Sequence, residues 1–71
     1  MTNKQIETIL TRAIETAYSK QSIEIKKLGA VEDAVQSAID GIDYSEVKGM
    51  SADEAYIFYY EWALGCIASV L

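Results

Sequence analysis

The chain has no proline, no histidine and a single cysteine, and its six basic residues are outnumbered by eleven acidic ones. Average usage of about 5% would give three or four prolines in 71 residues, so their absence favours helices joined by short turns. Without histidine and with Cys66 alone, zinc-finger spacings, Cys/His nucleophile pairs and an internal disulfide framework are all excluded. The first ten residues, MTNKQIETIL, contain no uninterrupted apolar segment of the kind a signal peptide needs, so a reducing, cytoplasmic setting is the expectation. Glycine-rich phosphate loops, serine nucleophile motifs and dinucleotide fingerprints are missing too.

What is present is apolar and acidic. Hydrophobic residues make up 51% and charged ones 24%, which suits a folded chain and is too apolar for a disordered one. The length fits one domain, residues 1–71, near the size at which a single core gives only a few kcal/mol of net stability. The net charge of −5 is unevenly spread. Residues 1–30 carry five basic side chains against three acidic ones, whereas residues 31–71 carry Lys48 against eight acids. Direct nucleic-acid binding is disfavoured, because affinity for phosphate rests on lysine and arginine. A basic protein surface is the more natural charged partner.

Helical spacing accounts for most of the chain. Thr2 with Gln5, or Asn3 alone, supplies an N-cap, after which Ile6, Ile9, Leu10, Ala13, Ile14, Ala17 and Tyr18 recur at i, i+3, i+4 and i+7, with Glu7, Thr11 and Glu15 on the other side. This first helix is expected to continue to Leu28, bent near residues 19–22, with Gly29 closing it. Glu24 would then interrupt the apolar stripe, and the alternation of Ile23 and Ile25 also suits a strand, but no second strand exists to pair with it. A second helix is expected from Ala30 to Asp40, on Val31, Ala34, Val35, Ala38 and Ile39, with Glu32 and Asp33 favouring its positive end and Gly41 ending it. Residues 42–50 read as a surface connection in which Asp43 and Glu46 cap a single turn, Tyr44 and Val47 point inward, and Gly49 frees the backbone.

The last stretch, residues 51–71, opens with Ser51 and Glu54 at the spacing of a capping box, with Met50 placed to staple against Ala55. Beyond Glu54 its only charge is Glu61. On a helical wheel Tyr56, Tyr59, Tyr60, Ala63, Ile67, Val70 and Leu71 form a broad inner side, with Cys66 at the edge as a small hydrophobe. The opposite side carries Glu54, Ile57, Phe58, Glu61, Gly65, Ala68 and Ser69, with Trp62 at its margin. Solvent has no use for so many large apolar groups, and the small residues would let a second helix approach. The expected architecture is therefore an all-α, small three-helix bundle: a long N-terminal helix, a short middle helix and a long apolar C-terminal helix, completed by dimerisation. A membrane span is not expected, since the apolar run from Ala55 holds 17 residues, contains Glu61 and follows acidic flanks.

Chemistry finds little support. The pairs Glu32/Asp33 and Asp53/Glu54 diverge on a helix, residues 40–46 lack the spacing of a calcium loop, and Glu61 has no histidine to work beside it. The chain is accordingly expected to have no catalytic residue, cofactor or metal. It reads as a protein–protein interaction domain, homodimeric through Ile57, Phe58, Glu61, Trp62, Gly65, Ala68 and Ser69. The alternative is an acidic inhibitor, of the kind made by phages or mobile elements, that offers Glu32, Asp33, Asp40, Asp43, Glu46, Asp53 and Glu54 to a basic nucleic-acid-binding surface of another protein. These acids also serve simply to keep a small domain soluble.

Overall fold

The N-terminal helix, α1, spans Asn3–Ser19 and begins with a reciprocal cap. Thr2 Oγ1 accepts from the Gln5 N–H at 3.1 Å while Gln5 Oε1 accepts from the Thr2 N–H at 2.8 Å, so two otherwise unpaired donors are satisfied. The structure is a computed structural model, and it describes residues 1–21 and 30–70. Within these residues the chain is all-helical: α1 is followed by α2 (Ala30–Asp40), α3 (Tyr44–Lys48) and α4 (Ala52–Val70).

Among the described residues a fourth helix thus stands where a single capped turn was expected, and the three-helix description is too coarse. Asp43 is the N-cap of α3: its Oδ1 accepts from the N–H groups of Ser45 at 3.1 Å and Glu46 at 3.3 Å. Val47 is buried, and Tyr44 is half-buried with its hydroxyl donating to Glu7 Oε1 at 2.7 Å, which ties α3 to α1. Gly49 does not supply left-handed freedom, as its φ is −77°. It does give room, because a Cβ there would sit 3.3 Å from the Glu46 carbonyl oxygen.

A second correction concerns the end of α1. The helix stops at Ser19 and does not run on through residues 20 and 21. The Gln21 N–H turns to the carbonyl of Tyr18 at 3.0 Å, and the Gln21 side chain donates to the Ala17 carbonyl at 3.4 Å, so a side chain takes up an acceptor that a continuing helix would have used. The expected continuation to Leu28, and the strand alternative at Ile23 and Ile25, lie outside the described residues.

Helix α1 is the centre of the molecule. It packs mainly on α4, and also on α2 and α3. Ile6, Leu10, Ala13, Ile14 and Ala17 are completely buried, and Ile6, Leu10 and Ile14 are the largest side chains with no access to water. The helices around it contribute small groups, Ala34 and Ala38 from α2 and Ala55 and Ala63 from α4, so they approach closely. On α4 the buried residues Ala55, Tyr59, Ala63 and Ile67 recur every four positions, the ridge commonly used when helices interdigitate. The inner side of α4 therefore lies nearer Ala55 than the wheel gave. Tyr56 and Tyr60 sit at its edge, half-buried and stacked at 6.3 Å between centroids. Val70 and Leu71 fall beyond the described side chains.

Candidate protein-contact surface

Helix α4 begins where Ser51 Oγ accepts from the Glu54 N–H at 3.1 Å, the first half of the expected capping box. From there its inner ridge is fixed by α1, and every residue on the far side is left to water. Ile57 is 56% exposed, Phe58 46% and Leu64 40%. Glu54, Glu61, Gly65, Ala68 and Ser69 are exposed as well. Trp62 differs from the other residues expected at an interface, because it is half-buried and packs against the core from the margin of this face.

Leu64 escaped the sequence reading. It lies two helical turns beyond Ile57, on the same side, and that spacing was the available signal. Its environment is specific: Ile57, Tyr60, Glu61 and Leu64 line one hollow together with Thr16 and Lys20 of α1's end. Lys20 spans the seam by donating from Nζ to the Tyr60 hydroxyl at 3.0 Å, with the ammonium 5.3 Å from the Tyr60 ring centroid. That hydrogen bond, more than anything else, raises the Lys20 pKa above its usual value.

The other flank of α4 has different chemistry. Phe58 meets the Tyr59 ring edge-on at 5.1 Å, and together with Trp62 and Met50 these aromatics wall a hollow of about 220 Å³ between the end of α2, α3 and α4. Ile42 and Val47 complete its apolar lining, while Asp43 and Glu46 bring carboxylates to it. Met50 and Phe58 also wall an adjoining hollow that contains Glu54, Ile57 and Glu61.

The seven acids expected to form one partner surface are all exposed, and they are distributed. Asp43 and Glu46 share the first hollow, and Glu54 stands in the adjoining one. Glu32 lies elsewhere, beside Glu15 and Thr11 on the side of α1 and α2. Asp33 belongs to the first turn of α2 and Asp53 to that of α4, and Asp40 at the end of α2 accepts from Gln36 Nε2 at 2.8 Å. Among the described residues no group of three or more acids, cysteines or histidines is arranged to hold a metal ion, and no helix is long and apolar enough to cross a membrane.

Burial acts on the phenols. Tyr18 and Tyr59 have pKa values raised chiefly by desolvation, and Tyr44 has its own raised chiefly by the hydrogen bond to Glu7. Tyr18 and Tyr59 belong to the core and Tyr44 packs against it. Compared with known proteins, the chain matches no family model, and no curated protein or solved structure is detectably similar to it.

Proposed function

We propose that this is a non-enzymatic protein-contact domain that works through the outer face of α4, with a second copy of the chain as the occupant. The reading rests on one observation: among the described helical residues the large exposed apolar side chains are Ile57, Phe58 and Leu64, and all three belong to α4. A patch of this kind marks a contact site more often than a free surface. Two features favour a second copy. Gly65, Ala68 and Ser69 offer a low surface on the same helix for another copy's bulky residues. Lys20 and Glu61 line one hollow with Ile57 and Leu64, so a two-fold arrangement could set the lysine of each protomer against the glutamate of its partner.

Light scattering on a size-exclusion column, over a range of concentrations, tests this directly. The wild-type chain should run as a dimer, and Leu64→Glu should give a folded monomer, since an exposed leucine is replaced without touching the core. A wild-type chain that is monomeric at every concentration would refute self-association. An unchanged dimer in the Leu64→Glu variant would move the interface away from this flank.

The second reading, an acidic inhibitor that occupies a basic nucleic-acid-binding surface of another protein, draws on the exposure of all seven acids. Their spread over separate parts of the surface makes it the weaker of the two. A solubilising role accounts equally well for acids such as Glu32 that stand away from the aromatic hollow.

A further inference from the structure

We infer that the groove between α2, α3 and α4 binds an amphipathic, arginine- or lysine-bearing segment of another protein, with its apolar residues on Phe58 and Trp62 and its cations between Asp43, Glu46, Glu54 and Glu61. The groove is made of two adjoining hollows that share Met50 and Phe58. Its floor is apolar and aromatic, from Ile42, Met50, Phe58, Tyr59 and Trp62. Carboxylates stand at both ends, Asp43 and Glu46 in one hollow and Glu54 and Glu61 in the other, and none of the residues that line either is basic.

Charge complementarity selects the occupant. Four acids around an apolar floor attract cations more strongly than the same acids on a flat surface, because the apolar walls focus their field. Guanidinium and ammonium groups also stack on aromatic faces, which a metal ion or a neutral peptide does not exploit in the same way. An acidic or neutral segment would leave the carboxylates unpaired. At the Asp43 and Glu46 end a second copy has little to offer, since residues 31–71 carry Lys48 against eight acids, so the self-association proposed above is centred on Ile57 and Leu64. The hollow that holds Asp43 and Glu46 shares no residue with the one that contains Lys20 and Leu64, while the adjoining hollow shares Ile57 and Glu61 with it. Peptide and second copy compete at Ile57 and Glu61, and the part of the inference that stands apart from self-association is the cation site at Asp43 and Glu46.

Trp62 is the only tryptophan and lines the groove, so its emission reports occupancy. The full chain would be titrated with an acetylated, amidated twelve-residue peptide of alternating leucine and arginine, and with the same peptide carrying citrulline for each arginine. Saturable change in Trp62 emission with the arginine peptide, at least about tenfold weaker binding of the citrulline peptide, and about tenfold weaker binding of the arginine peptide to the Asp43→Asn, Glu46→Gln double variant are the expected results. Asparagine caps a helix as well as aspartate does, so this variant keeps α3 in place, which circular dichroism verifies. Glu32→Gln, on the far side of α2, should bind like the wild type. Equal affinity for the two peptides, equal affinity of the double variant and the wild type, or no emission change at millimolar peptide would each overturn the inference. Light scattering on the same samples reports self-association separately, so failure of one proposal is distinguishable from failure of the other.

Discussion

Helices α1 and α4 are of similar length, and the more hydrophobic of the two is the less buried. Helix α1 has one apolar stripe, and Ile6, Leu10, Ala13, Ile14, Ala17 and Tyr18 from it are all inside. Its polar side closes on itself, with Thr8, Thr11 and Thr16 donating to the carbonyls four residues back. Helix α4 is apolar on nearly every side, and only one ridge of it, Ala55, Tyr59, Ala63 and Ile67, is fully covered. Burial is set by the neighbours a helix has. Helix α1 packs on α2, α3 and α4, whereas among the described residues α4 packs mainly on α1. What α4 leaves uncovered is what the proposed contact rests on.

The sharpest way to break this comparison is to make one deletion on each helix. Leu10→Ala removes a side chain with no access to water and should cost about 3 kcal/mol, within the range found for such cavities. Leu64→Ala, at 40% exposure, should cost less than about 1 kcal/mol in the monomer. Urea unfolding of both variants measures the gap. Costs of similar size would mean that α4 is covered on its outer side within the monomer and would remove the basis for a contact surface.

A smaller effect probes the seam between α1 and the elements packed on it. Tyr44→Phe deletes the bond to Glu7 and should lower stability by less than Leu10→Ala does, as the pair is only partly shielded from water. Alkali acts on the same residues. A tyrosine whose pKa is higher in the folded chain than its ordinary value of 10.0 prefers to stay neutral there, so its contribution is intact below pH 10 and is lost as the pH climbs through the raised folded value. Tyr18, Tyr44 and Tyr59 all shift in that direction, so stability should fall above pH 10. Phenylalanine at Tyr59 should flatten that fall, and an unchanged pH profile would show that Tyr59 is as hydrated in the folded chain as in the unfolded one.

These contrasts also explain what could be read from the residues alone. The stripe on α1, its Thr2 cap and the Asp43 cap of α3 are local patterns, each complete within a few residues, and they were legible. The phase of α4 was harder to read, because a helix with apolar residues all round has no preferred side until a neighbour chooses one. That is why the pattern marks Ala55 only as a staple and does not single out Leu64. The stop at Ser19 depends on the side chain of Gln21 taking the Ala17 carbonyl, which the apolar periodicity does not record. The groove is least legible of all. Asp43 and Phe58 are distant in sequence and line one hollow only because α2, α3 and α4 all pack on α1.

The smallest expected effect separates folding from contact on α4 itself. Gly65 is exposed, and a Cβ added to it would meet nothing within 4 Å. Glycine inside a helix costs about 1 kcal/mol relative to alanine, so Gly65→Ala should stabilise the monomer by roughly 0.5–1 kcal/mol and raise its melting temperature by a few degrees. If the helix of a second copy passes over Gly65, the same methyl group meets it, and the dimer should weaken while the monomer gains. Thermal melts at low concentration and light scattering at high concentration read the two effects apart. A variant that gains stability and dimerises as well as the wild type would show that the partner crosses α4 elsewhere, nearer Ile57. Gly65 would then be an uncorrected weak point of the helix and no part of the contact.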